Sequence, residues 1–252
     1  MSDLKELFEN GRWYHCFRHE GMTSNGTYDI EQYISHYKFE NNYQGRTILD
    51  VGCSDGYFSI LMKEHGAQRV CGVDSNKYDG SLAFVPSNAF KEVHEEKYRN
   101  ADDIVRFGPT YKEFGLENSN KLILMAKLKG LEIDYRHGTI YDLSLYGELC
   151  NDLLEHLRDP ITAIEQLYFA TREKCIITVS SAMKANWLTR NKVVLTYQGH
   201  ISGGSFYRLS ETAAKAMCKA AGFKKAEVVD RFDMLNRVHG VKNSHFVTHA
   251  YK

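Results

Sequence analysis

The chain has 252 residues, 43% of them hydrophobic, with 32 basic against 32 acidic side chains. That length allows a substantial core, and the balanced charge gives no net field to draw in a polyanion, so nucleic acid is not expected as a partner. The opening stretch MSDLKELFENGRWYH lacks the apolar core of a signal peptide, and no run approaches the roughly 18 apolar residues of a spanning helix; a cytoplasmic protein without a membrane partner is expected. Cys16, Cys53, Cys71, Cys150, Cys175 and Cys218 form no CxxC pair, so neither disulfides nor a structural metal is expected, and several thiols should pack as small hydrophobes.

Residues 12 to 21, RWYHCFRHEG, gather Arg12, Trp13, Tyr14, His15, Phe17, Arg18 and His19 ahead of the first long apolar run. The cluster reads as part of a lid over residues 1–44, with an aromatic plug for a sheet edge as the alternative. His15 and His19 have the spacing of a metal pair on a helix, but no acid pattern or cysteine partner completes a ligand set, and exposure or a polar contact is the expectation. From Arg46 onward strand-like and helix-like stretches alternate. RTILDV, the helix YFSILMKEHG and RVCGVD make one strand-helix-strand unit of parallel strands. Helices are predicted at NAFKEVHEEKYRN and SNKLILMAKLKG, with Leu122, Ile123, Met125, Ala126 and Leu128 as a core stripe. Later strands are predicted at 131–137, 175–181, 225–232 and 244–251. Asp159 before Pro160 starts one further helix, and Ser210 before Glu211 starts another that Gly222 closes. The order is that of an open, mostly parallel α/β sheet, with insertions at about 75–130 and 182–208 in a domain covering 45–252.

In such a sheet ligands settle beyond the carboxyl ends of the strands. The loop after the first of them, DVGCSDG at 50–56, places Gly52 and Gly56 where a ligand can approach bare main chain, with Asp50 at the strand end. Asp74 closes the next strand 24 positions after Asp50, where an acid can accept from the hydroxyls of an adenosine ribose. A dinucleotide site needs G-x-G-x-x-G for its pyrophosphate. Here Asp55 inside the turn would repel a pyrophosphate and suit the ammonium and sulfonium of a cationic ligand.

These residues resemble the class I S-adenosylmethionine-dependent methyltransferases, in DVGCSDG, in GVD at 72–74, in GTIYDL at 138–143, in LLEHLRDP at 153–160 and in FYRLSETAAKAMCKAAGF at 206–223. Ser54 stands where a middle glycine is usual. The resemblance implies a Rossmann-like, mostly parallel seven-stranded sheet flanked by helices, S-adenosyl-L-methionine as cofactor and S-adenosyl-L-homocysteine as product. It implies that Asp50, Gly52 and Gly56 surround the methionine part and that Asp74 takes the ribose, with Cys53, Ser54, Asp55 and Ser75 also at the cofactor. Ile140, Tyr141 and Asp142 would border the adenine, with Asn151 near the fourth strand end.

His156 lies where small-molecule members place a base, and an imidazole titrating near about 6.5 suits proton removal; a packed turn histidine is the plain alternative. Trp13, Tyr14, His15, Arg18, Arg190, Lys192, His200, Tyr207 and Arg208 fall in the two segments assigned to the acceptor. They favour a small anionic or polyhydroxylated molecule methylated on oxygen; a homodimer stays open. The same motifs also look like enzymes that modify the wobble uridine of tRNA, and a non-catalytic cofactor-binding module is the third reading.

Overall fold

The computed structural model of the protein describes residues 2–11, 13–74, 118–137, 140–143, 148–151, 153–181, 191–198 and 205–252. The N-terminal residues form helix α1 (Ser2–Asn10), short strands β1 (Trp13–His15), β2 (Arg18–His19), β3 (Met22–Thr23) and β4 (Gly26–Tyr28), and helix α2 (Ile34–Tyr37). β1 runs parallel to β4, and β2 pairs antiparallel with β3. His15 and His19 therefore sit on strands and share no helical face. Apolar side chains dock the whole segment: Leu7, Phe8, Trp13 and Phe17 pack with Ile60 and Met125, while Ile30 and Tyr37 pack with Phe58, Ile176, Phe232 and Val247.

The predicted unit follows as β5 (Thr47–Val51), α3 (Tyr57–Glu64) and β6 (Arg69–Asp74). Val51 lies opposite Val73 in parallel register. Then come α4 (Asn118–Leu128), β7 (Asp134–His137), β8 (Glu148–Asn151), α5 (Pro160–Ala170), β9 (Lys174–Ser180), β10 (Leu195–Tyr197), β11 (Tyr207–Leu209), α6 (Glu211–Ala221), β12 (Lys225–Asn236) and β13 (Val241–Tyr251). A seven-stranded sheet has the order β12-β13-β9-β8-β5-β6-β7. β7, β6, β5, β8 and β9 are mutually parallel, and β13 runs antiparallel to β9 and β12. The order reverses at β5, with β6 on one side and β8 on the other, which makes the carboxyl ends of β5 and β8 the place for a ligand.

Alternate residues of β9 serve opposite faces, as strand geometry requires. Cys175, Ile177 and Val179 join the largest core cluster with α5 and α6, and Ile176 joins the cluster on the other face. Cys71, Cys175 and Cys218 are buried members of that largest cluster, filling it as small apolar groups. Among the described residues no helix is long and apolar enough to cross a membrane.

Local chemistry sets the helix ends. Asp159 accepts from the Thr162 amide at 3.0 Å ahead of Pro160, and Gly222 ends α6 at φ +112°. The elements differ from expectation in three places. β7 begins only at Asp134, β12 and β13 run on to Asn236 and back from Val241 as one hairpin, and Ile123 is 38% exposed. The hairpin continues past Phe232 because Met234 is still buried while its neighbours face outward. Ile123 falls off the stripe because Leu122, Met125 and Ala126 already occupy the inward face at helical spacing. The helix expected at 88–100 lies outside the described residues.

Ser210 caps α6 through the Ala213 amide, accepts from the Val194 amide and donates to the Lys192 carbonyl. Ser210→Ala is expected to cost about 1–2 kcal/mol, read as a lower urea midpoint with an unchanged slope.

Candidate active site

The turn from β5 into α3 is held in left-handed backbone: φ is +72° at Gly52, +51° at Ser54 and +86° at Gly56. At Gly56 a Cβ would come within 2.5 Å of the Leu122 side chain on α4, so glycine is required for both its φ and its size. Ser54 adopts the same region at a cost of roughly 1 kcal/mol, offset by its amide, which donates to Asp74 Oδ2 at 2.8 Å. Asp74, half-buried at the end of β6, thus fixes the loop from the sheet side. The Gly52 and Cys53 amides both donate to the Val73 carbonyl.

Two acids of the motif do different work from that expected. Asp50 is 3% exposed and accepts from Ser59 Oγ at 2.7 Å, bracing the first turn of α3. Burial is the main cause that raises its carboxyl from 3.8 to about 6. Asp55 is fully buried and faces the N-terminal segment: Oδ2 accepts from the Tyr14 amide at 2.7 Å and the His15 amide at 2.9 Å, and Oδ1 lies 2.5 Å from His15 Nδ1. A carboxylate so enclosed offers no surface to a cationic ligand. Cys53 is buried against β6, where a Cβ on Gly72 would come 2.8 Å from its sulfur, and burial pushes its thiol well up.

Of the residues expected at an adenine, Ile140 is a buried core residue and Tyr141 is half-buried, its hydroxyl donating to the Asp159 carbonyl at 3.1 Å. Asp142 ends the turn Ile140–Asp142, and Asn151 ends β8 opposite Val51 and Ile177. Ser75 lies outside the described residues.

Of the residues expected to meet an acceptor, His156 is half-buried in the turn Leu154–His156, its amide donating to the Leu153 carbonyl. Trp13 is 2% exposed, its indole N–H donating to the Leu7 carbonyl; it is core, because ring packing against Phe8 and Phe17 leaves no free face. His15 belongs to Asp55. Arg18 forks onto Asp29 at 3.0 and 2.8 Å and also bonds Glu31, so two carboxylates already neutralise it. Tyr14 is half-buried against Tyr28. Tyr207 and Arg208 lie on β11, opposite Tyr197 and Thr196. Arg12, Arg190 and His200 lie outside the described residues.

A set without a sequence signal stands beside His156. Glu155, 3% exposed, takes the Ser180 hydroxyl at 2.8 Å and the Ser180 amide at 3.2 Å on Oε1. Ser180 Oγ lies 3.3 Å from His245 Nε2, and His245 Nδ1 donates to the Asn243 carbonyl at 2.8 Å. Glu155 Oε2 is buried with no hydrogen-bond partner among the described residues. Burial is the main cause that holds the imidazole of His245 below its ordinary value, with Arg208 acting in the same direction. The set gathers at the carboxyl ends of β8 and β9, one strand from the glycine loop. A turn of bare main chain with a half-buried carboxylate at the next strand end fits the methionine and ribose parts of a sulfonium nucleoside.

The family description "Methyltransferase domain" matches residues 22–228. A tRNA U34 carboxymethyltransferase of Alteromonas mediterranea is 30% identical over 124 residues, 49% of this chain and 29% of that protein. Its counterpart from Pseudoalteromonas translucida is 25% identical over 189 residues, 74% of this chain and 47% of that protein. The chain thus spans less than half the length of these relatives. Among solved structures, the N-terminal domain of EvdMO1, determined in the presence of SAH and D-fucose, superposes with a TM-score of 0.53 at 14% identity, over 99% of this chain and 93% of that one; this likeness is one of fold.

Two outcomes follow from the loop. Gly56→Ala is expected to abolish measurable S-adenosylhomocysteine binding and to lower stability by about 2 kcal/mol or more, checked by calorimetry and urea unfolding. For Asp50, a folded value raised from 3.8 to about 6 means a contribution complete below about 4 and lost as pH rises through about 6. Asp50→Asn, which cannot ionise, should gain stability relative to the unmodified chain between pH 4 and pH 7, by up to ~3 kcal/mol. A difference that stays flat across that range would contradict the assignment.

Proposed function

We propose that this chain, which belongs to the family described as a methyltransferase domain, is an S-adenosylmethionine-dependent methyltransferase that methylates an oxygen of a small anionic or polyhydroxylated acceptor. In this reading the main chain of Gly52 to Gly56 lies along the methionine part, Asp74 receives the ribose hydroxyls, and Tyr141 with Asp142 borders the adenine. The cofactor supplies a methyl group made electrophilic by a positive sulfur. The protein has to align the acceptor oxygen, keep water out and take up the proton of the reacting hydroxyl.

The observation that carries the proposal is the hydrogen-bonded set of Glu155, Ser180 and His245 on the acceptor side of the loop. Because Nδ1 of His245 donates to a carbonyl, the neutral ring leaves Nε2 unprotonated, and the single proton of Ser180 goes either to it or to Glu155 Oε1. Burial holds its imidazole below the ordinary value, so the ring stays neutral near pH 7 and serves to position its neighbours. His156, adjacent to Glu155, is the candidate base, with the buried set fixing its turn: the Glu155 carbonyl accepts from the Phe206 amide, next to β11. Arg208 on β11 is the cation that would hold an anionic acceptor.

Incubating small-molecule extracts with the protein and methyl-labelled cofactor, followed by mass spectrometry, is expected to show a labelled O-methyl product. His156→Ala should lower its rate by about 10²–10⁴-fold, and Arg208→Ala should raise the acceptor KM at least tenfold while leaving S-adenosylhomocysteine affinity within twofold. Equal loss of both affinities in Arg208→Ala would remove Arg208 from the acceptor site. A second reading, a wobble uridine acceptor, is favoured by the likeness to two tRNA U34 carboxymethyltransferases. Label appearing in bulk tRNA, with retention on RNA that falls steeply with salt, would select it over the first.

A further inference from the structure

We infer that His15 and Asp55 are a positioning pair that makes the N-terminal segment a structural part of the cofactor loop, so that cofactor affinity depends on a contact no cofactor atom touches. The inference rests on the reading that the 52–56 turn holds S-adenosylmethionine.

Asp55 sits between Ser54 and Gly56, both in left-handed backbone, yet its carboxylate turns away from the sheet. The donors it meets lie 40 and 41 residues earlier in the chain: the amides of Tyr14 and His15 and the His15 ring. A fully buried carboxylate is costly unless nearly every lone pair is engaged, and hydrogen bonds to a charged acceptor are the strong kind. The arrangement is stable only while β1 lies against the loop. β1 is itself held from several sides. It pairs with β4, Arg237 bonds the Gly26 carbonyl at 2.9 Å, and the His15 ring meets those of Tyr57 and Phe58 on α3.

The loop is therefore clamped twice. Asp74 takes the Ser54 amide from the sheet side, and β1 takes the Asp55 side chain from the other. Without the second clamp, Ser54 keeps its strained φ with a single tether, and the main chain that faces the ligand loses its fixed path. Linkage then requires the reverse effect: a ligand that needs the clamped loop must also stabilise β1 against it.

Calorimetry with S-adenosylhomocysteine tests this in the full chain. Asp55→Ala and His15→Ala are each expected to weaken binding at least tenfold, and the double variant no more than the worse single one. His15→Asn, whose side-chain amide can replace the Nδ1 donor, should restore most of the loss. In the unmodified protein, S-adenosylhomocysteine should slow amide hydrogen exchange at Tyr14 and His15 at least tenfold. That second measurement needs no variant, so it decides the matter even if a substitution fails to fold. Affinity within twofold in folded variants, additive losses in the double variant, or unchanged exchange at Tyr14 and His15 would each overturn the pair. Absence of binding to the unmodified protein would instead overturn the cofactor reading beneath it, and the inference with it.

Discussion

The turn between β5 and α3 must reverse direction within a few residues while presenting main chain rather than side chains, and the rest of the active site is arranged to hold it there. Left-handed backbone at Gly52, Ser54 and Gly56 satisfies the geometry but does not stabilise itself, since Ser54 carries a Cβ in a region that disfavours one. Stability comes from neighbours: Asp74 on the Ser54 amide, Leu122 filling the space over Gly56, and Asp55 reaching into β1. Asp50, buried beneath, ties β5 to the first turn of the helix that follows. Acids that a motif groups together as one ligand shell thus divide into two that brace the loop from within and one that stands at the strand end.

The same economy joins the N-terminal residues to both halves of the site. Their apolar side chains cover α3 and α4 on one side and the sheet on the other, and their polar groups enclose Asp55. Phe232 stacks on His36 of this segment at 4.9 Å and on His245 of the Glu155–Ser180–His245 set at 5.5 Å. A displacement of the segment would therefore be felt at the glycine loop and at the Glu155–Ser180–His245 set together, because packed rings and buried hydrogen bonds have few intermediate arrangements.

What was legible in the sequence was local. The β5-α3-β6 unit, the caps at Asp159 and Ser210 and the stop at Gly222 each depend on residues a few positions apart, and the structure places them as read. That Asp74 closes β6 was legible from the short strand RVCGVD ending in an acid. Partnerships across the chain were hidden. Nothing in the sequence couples Asp55 to His15, Arg18 to Asp29 or Glu155 to His245 through Ser180, since such pairs form only when distant elements are brought together. Trp13 and His15 illustrate the error this produces: aromatic and imidazole groups ahead of a sheet suggest a ligand, yet burial gave Trp13 to the core and His15 to a carboxylate. Glu155 lacked a signal for a further reason, because a glutamate inside an apolar run reads as exposed until its neighbours are known.

A crystal structure of the protein with S-adenosylhomocysteine would test the central claim most directly. The account predicts the ribose hydroxyls within hydrogen-bond distance of the Asp74 carboxylate and the methionine part along the main chain of 52–56, with Asp55 still bonded to His15. A nucleoside bound elsewhere on the sheet, or Asp55 swung out to meet the ligand, would contradict it.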